Sequence, residues 1–242
     1  MKIACFIQSC DPHSSGYDCT SLEVVVPRFL LPLPALLIAL LTLPASAAPE
    51  TQPSTQPATA VVDLLKLDNP LNLVLTGWTI REGALTSNAS ATCRVEFAYV
   101  PPAEYDYRVV FIRNSGTGGI VCVCRGGGHQ FVWRMSGQPG TKSGFALIAG
   151  KGFGQNATSQ SGSWLHTGQQ QELLIQVRRD SVEALLDGKS ICLLQTDFHD
   201  LSLAQMFQQQ RDDTIGLVTI NSDITIESAE VTELSGPDKP LK

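Results

Sequence analysis

Between Val61 and Leu234 the sequence keeps a period of two almost throughout, and that period restricts the fold more than anything else in the chain. Arg94-Val95-Glu96-Phe97-Ala98-Tyr99 and Ile175-Gln176-Val177-Arg178 alternate apolar with polar residues. Such alternation turns one face of an extended chain toward a core and the other toward water. Arg108-Val109-Val110-Phe111-Ile112 and Gly119-Ile120-Val121-Cys122-Val123 are apolar nearly throughout and rich in β-branched residues, the pattern of strands covered on both faces. Turn signals separate the runs: Asn114-Ser115-Gly116, Gly126-Gly127-Gly128, Gly137-Gln138-Pro139-Gly140, Asp187-Gly188-Lys189 and Asn221-Ser222-Asp223. Val182 to Leu193 reads as a hairpin turning at Asp187-Gly188, a dipeptide that tolerates the positive φ of a tight hairpin. Only Leu201 to Gln209 reads as helix, of one or two turns. Strands so closely spaced, without helices between them, predict an all-β fold: an antiparallel sandwich or barrel with one short helix.

The flanks have other compositions. Phe29 to Leu43 is an uncharged apolar run that follows Arg28 and ends in Pro44-Ala45-Ser46-Ala47, a small-residue cleavage signal. Residues 28–47 are therefore expected to be a signal peptide cleaved after Ala47, with export to the periplasm, cell surface or medium. An uncleaved membrane anchor is the competing reading, but a run containing Pro32 and Pro34 falls short of the roughly 20 residues that cross a bilayer, so no stable span is expected after cleavage. Residues 1–27 precede the basic residue by more than a signal peptide usually allows. A translation start near Val24, Val25 or Val26 explains them, and an unusually long n-region is the alternative. Residues 48–60, rich in Pro, Thr and Gln, read as a linker, 61–234 as the sandwich and 235–242 as a polar tail.

Charge and cysteines narrow the function classes. The chain holds 17 Lys+Arg against 23 Asp+Glu, and stays acidic without residues 1–47, whereas a nucleic-acid partner would call for a basic stripe. With 43% hydrophobic and 17% charged residues it is no disordered chain. Cys5, Cys10 and Cys19 precede the apolar run, and Cys93, Cys122, Cys124 and Cys192 follow it. After export those four allow two disulfides in three connectivities, or four small buried apolar side chains. Cys122-x-Cys124 puts both thiols on one strand face, too far apart for an easy mutual bond. No matching C-x-x-C or H-x-x-x-H accompanies it, so neither a metal nor a cofactor is expected. Gly126-Gly127-Gly128 is no phosphate loop, since no helix or Gly-Lys-Ser/Thr follows.

Four segments, in order, carry a family resemblance: Trp78-x-x-x-x-Gly83-x-Leu85; Tyr99-Val100-Pro101-Pro102-Ala103-Glu104-Tyr105-Asp106-Tyr107-Arg108-Val109-Val110-Phe111; Gln130-Phe131-Val132-Trp133; and Val177-Arg178-x-Asp180-x-Val182-x-Ala184-x-Leu186-Asp187-Gly188. Together they resemble secreted bacterial domains of the concanavalin A-like lectin/glucanase superfamily, with laminin-G-like and 3-keto-disaccharide hydrolase domains nearest in pattern. The resemblance spans nearly all of 61–234, and Pro-Pro-x-Glu-Tyr-Asp is its most specific part. It implies a single antiparallel β-sandwich, a jelly roll of two curved sheets, and either glycan binding or, in some members, attack on sugars. Glycosidases need two carboxylates about 5–5.5 Å or 6.5–9.5 Å apart. The laminarinase-like hydrolases of the superfamily carry them in Glu-x-Asp-x-x-Glu. Here Glu104 and Asp106 match the first half, but Val109 stands where the last Glu belongs. These two are weak catalytic candidates, the alternative being solvated carboxylates at a strand start, and the balance leans away from an enzyme.

Sugar binding asks for an aromatic face and planar polar groups. His129-Gln130-Phe131-Val132-Trp133-Arg134 supplies both, after glycines that would let a ligand or backbone approach. Alternation puts His129, Phe131 and Trp133 on one face and Gln130, Val132 and Arg134 on the other. Phe131 and Trp133 together favour the core, which leaves Gln130 and Arg134 toward a ligand, with Arg113 able to join them. Trp164, near His166 in a Gly/Ser-rich loop, is either a binding platform or a local anchor. The resulting expectation is a non-catalytic carbohydrate-binding module with a glycan as partner. A sugar-processing hydrolase and a protein-interaction or envelope module are the alternatives, and the oligomeric state stays open. Convergence of Gln130, Arg134, Arg113 and Trp164 on one concavity is the structural criterion.

Overall fold

The computed structural model describes residues 60–67, 73–89 and 92–235. The expected upstream segment and signal peptide, and all but the last residue of the expected linker, lie outside the described residues, as does the chain beyond 235. Two long antiparallel strands organise the fold: β6 (Tyr105–Gly126) and β15 (Ile215–Glu233), paired from Tyr105↔Glu233 to Val123↔Gly216. The first half of β6 is flanked by β12 (Gln170–Val177), then β13 (Ser181–Leu186) and β14 (Lys189–Gln195). Beside it the last part of β15 carries β1 (Val61–Asp63) and β4 (Ala84–Thr86), with β3 (Thr79–Arg81) beyond. The second half of β6 is flanked by β7 (His129–Ser136), β8 (Lys142–Phe145) and β11 (Gln160–Ser161). There the first part of β15 carries β5 (Thr92–Phe97) and β2 (Leu73–Thr76). A separate two-stranded ribbon joins β9 (Leu147–Ile148) to β10 (Lys151–Gly152).

The long strands thus run through both layers of an antiparallel β-sandwich. The Tyr105 hydroxyl at the start of β6 donates to the Arg125 carbonyl at its end (2.8 Å) and accepts from the Arg125 N–H (2.9 Å), so the strand's two ends meet across the core. Between the layers lie Tyr107, Val109 and Phe111 from the first half, Ile120, Cys122 and Cys124 from the second, and Leu173, Ile175 and Val177 of β12. Each trio sits at every second position, so burying one member buries the rest.

Two segments expected to be turns are strand interior instead. Asn114-Ser115-Gly116 lies within β6 and Asn221-Ser222-Asp223 within β15, with Ser222 opposite Gly116 and Asp223 opposite Ser115. The register slips on both sides of this point, and Gly116 and Asn221 take φ values of 96° and 50°. These are β-bulges, which bend and twist a strand without ending it. Their residues are those of a turn because both need positive φ. The Asp187-Gly188 hairpin forms as expected, with φ of 50° and 74°.

The expected helix at Leu201 to Gln209 reduces to a 3₁₀ turn at Gln205–Phe207, and a single α-turn closes Gly137–Gly140. Ala204 offers no side-chain cap to the 3₁₀ turn, and the segment is held by its apolar residues lying on a sheet, which an extended strap does as well as a helix. Of the two readings open for the four cysteines, the structure has the second: Cys93, Cys122, Cys124 and Cys192 are free and buried. β15 separates Cys93 from Cys122, which pair with its residues Thr219 and Leu217, and Cys192 lies on β14 opposite Ala184. The low-dielectric core pushes every one of the Cys122, Cys124 and Cys192 thiols upward, Cys192 to about 11.

Candidate binding face

Alternation turns a second set of side chains outward from the β5–β15–β6–β7 layer. Register aligns them in rows: Arg94, Val218, Val121 and Arg134 in one, Glu96, Gly216, Val123 and Val132 in the next. Residues 201–214 lie across these rows as a strap. Its Leu203, Ala204 and Phe207 pack on Val121, Val123, Val132, Ala146 and Val218, forming a second apolar cluster apart from the main core. That cover accounts for the apolar character of Gly119 to Val123 on both faces.

Polar groups beneath the strap hold it in place. Glu96, only 7% exposed, accepts hydrogen bonds from the Gln210 N–H (2.7 Å), the Arg211 N–H (3.1 Å) and the Thr214 hydroxyl (2.9 Å). A buried carboxylate with three donors has exchanged its hydration for fixed partners. From β7, the Gln130 amide donates to the carbonyls of Arg211 (3.0 Å) and Thr214 (2.8 Å). Arg94 donates to the Met206 carbonyl. Arg211 forks onto Asp213 (2.9 and 2.8 Å), which holds the Asp213 carboxyl below its usual range.

Beside the strap opens a polar cleft of about 770 Å³, lined among others by His129, Gln208, Gln210, Arg211, Asp212 and Asp213. The side chains of Gln208, Gln210 and Asp212 make no hydrogen bond among the described residues. His129 meets His199 edge-on, ring centroids 6.1 Å apart. The cleft therefore presents planar amides, carboxylates and an imidazole on a backbone fixed by Glu96 and Gln130.

The residues singled out from sequence go to different places. Trp133 lies fully in the core, edge-on to Phe145 at 5.2 Å, so its indole is no ligand platform. Of the glycines before β7, Gly126 and Gly127 admit Phe198, a Cβ on Gly126 coming within 2.3 Å of that ring, while Gly128 has open space beside it and lines the cleft. Gln130 reaches the cleft but spends its amide on the strap. Arg113 donates to the Leu165 carbonyl (2.6 Å) and the Thr167 hydroxyl (3.2 Å), clamping the loop before β12, and burial lowers its pKa. Trp164 borders a separate cavity of about 390 Å³ with His166, Gln171 and Asp187, and packs partly on the core. Arg134 lines a third, of about 350 Å³. Gln130, Arg134, Arg113 and Trp164 thus do not converge. Glu104 and Asp106 flank the buried Tyr105 and point away from the core, paired with Arg179 (3.3 Å) and Arg178 (2.7 Å).

Glu96 and the Gln208–Asp213 rim were not singled out from sequence. Glu96 occupies a polar phase of its strand, where nothing signals burial. The run Gln208-Gln209-Gln210-Arg211-Asp212-Asp213 after an apolar Phe207 is the one local signal of a polar rim.

No protein-family model matches the chain, and no curated protein matches it. Solved structures do. The chain is similar to the apo Crh5 transglycosylase, at 10% identity over 75% of this chain and 86% of that one, with a TM-score of 0.51. It is also similar to a native glycosidic hydrolase (10% identity, 74% and 97% covered, TM-score 0.49). A third is the carbohydrate-binding module CBM66 from Bacillus subtilis (8% identity, 66% and 94% covered, TM-score 0.45). The likeness is one of fold. Among the described residues no helix is long and apolar enough to cross a membrane.

Proposed function

We propose that the protein is an exported, non-catalytic carbohydrate-binding module whose site is the polar cleft between His129 and Asp213. The observation that carries this reading is the set of uncommitted side chains of Gln208, Gln210 and Asp212 on a rim whose backbone Glu96 and Gln130 hold in place. Planar amides and carboxylates match the paired hydroxyls of a sugar, and a prefixed rim binds without a large ordering cost. Support for binding over hydrolysis comes from Glu104 and Asp106, whose carboxylates are engaged by arginines. The fold shared with the Crh5 transglycosylase is compatible with a sugar ligand and does not choose between the two. Export rests on the apolar run and small-residue signal at residues 28–47.

Calorimetric titration of the protein with a panel of neutral and acidic oligosaccharides tests the reading. At least one should bind, and Gln208→Ala with Gln210→Ala should weaken it about tenfold, the worth of one or two lost hydrogen bonds. Absence of binding across the panel would overturn it.

A further inference from the structure

Arg134 stands at the far end of β7 from the cleft, on the same outward face as Gln130 and four residues along, roughly 13 Å away at strand rise. Its surroundings differ from those of other partly buried arginines in the sheet. Arg108 has Glu172 and Glu230, Arg178 has Asp106, and Arg113 has two backbone carbonyls and a hydroxyl. Arg134 makes no hydrogen bond and no ion pair among the described residues, and its Nε is buried without a partner. Instead the guanidinium lies over the Phe153 ring at 4.2 Å and near Phe207 at 5.6 Å. Rings on one side fix its orientation and exclude water, yet they satisfy none of its five donors.

A half-buried cation without a counter-charge is costly, and native proteins seldom keep one without a use for it. The adjoining pocket of about 350 Å³ is lined by Thr117, Val121, Arg134, Met135, Ile220, Asn221 and glycines, and no carboxylate lines it among the described residues. Gly137 keeps it open: a Cβ there would come within 2.9 Å of the Phe153 ring and 3.0 Å of the guanidinium Nη2. In a chain carrying an excess of acidic residues, a cavity with one guanidinium and no acid is selective for an anion, and the planar fork favours a carboxylate.

We propose that this pocket binds the carboxylate of an acidic sugar, a uronate-type residue, so that the ligand of the module is an acidic glycan. The inference rests on the carbohydrate-binding reading, and it adds a second contact point on the same sheet face. The apolar lining beside Arg134 suits the C–H face of a pyranose, and Phe153 and Phe207 hold the guanidinium while it forks onto the acid.

The test is a titration of the full protein with galacturonate, glucuronate and mannuronate oligosaccharides, their methyl esters and neutral hexose oligomers of the same length. For the wild type, an acid should bind about ten- to a hundredfold more tightly than its ester, as expected for a charge-assisted pair. Arg134→Gln should remove that preference. Gly137→Ala, which narrows the pocket and keeps the charge, should reduce the preference as well. An acid preference that survives Arg134→Gln overturns the inference, and so does equal binding of acids, esters and neutral oligomers by the wild type; both leave the module reading standing. Failure of every oligosaccharide to bind overturns the module reading and the inference with it.

Discussion

Two of the charged side chains on one face of one sheet stand under opposite conditions. Glu96, at the strap end, is buried with three donors around its carboxylate. Arg134, at the other end, is held by two aromatic rings and has no polar partner among the described residues. A charge whose hydrogen-bonding capacity is used by the protein serves the fold, and removing it strands its donors. A charge whose capacity is unused, beside a cavity, is left for something outside the chain. The same division sorts the other candidates: Gln130, Arg113, Glu104 and Asp106 fall with Glu96, while Gln208, Gln210 and Asp212 fall with Arg134.

The contrast is sharpest in stability. Glu96→Ala should cost about 3 kcal/mol in urea denaturation, since two backbone N–H groups and a hydroxyl lose their acceptor, and should speed proteolysis between residues 207 and 214. Arg134→Met should do the reverse or nothing. It keeps the stem's packing and a sulfur against Phe153 while removing an unpaired charge, so the change should stay within about 1 kcal/mol and lean toward greater stability. A loss of stability at Arg134 equal to that at Glu96 would abolish the distinction between the two ends.

Acid should separate them more gently. The pKa of Asp213 is depressed by Arg211, so its contribution is present above the ordinary carboxylate value near 3.8 and is lost as the pH falls through its lower folded value. The pair is exposed, so the effect is local and screened by salt. Amide exchange of residues 208–213 should rise below pH 3.8 while that of residues 132–135 on β7 stays level. Equal exchange at both places would show that Asp213 does not steady the rim.

Much of the fold was legible because a strand's parity is a local property. The alternation through Arg94 to Phe97 and through Ile175 to Val177, and the Asp187-Gly188 turn, appear in the structure where the pattern placed them. Trp133 and Arg134 went to opposite faces for the same reason, one to the core and one outward. The misread turns at Asn114-Ser115-Gly116 and Asn221-Ser222-Asp223 show the limit of that reading. Positive φ serves a loop and a bulge alike, and only the pairing of the two segments with each other distinguishes them.

The site was legible in its residue types and not in its grouping. Gln130 carries the chemistry of a sugar ligand, yet its amide holds the backbone of Arg211 and Thr214, more than 80 residues later in the chain. Nothing near Glu96 in sequence announces the three donors that arrive from 210, 211 and 214.

By itself, then, the sequence determined which side chains share a face, because successive residues of an extended chain must point to opposite sides. The residue types also marked the face that met the core, but which part of the outward face met the strap and which an open pocket was decided by the tertiary structure alone. The covering segments come from distant parts of the chain, and their arrival depends on how two bulged strands carry both layers around one core.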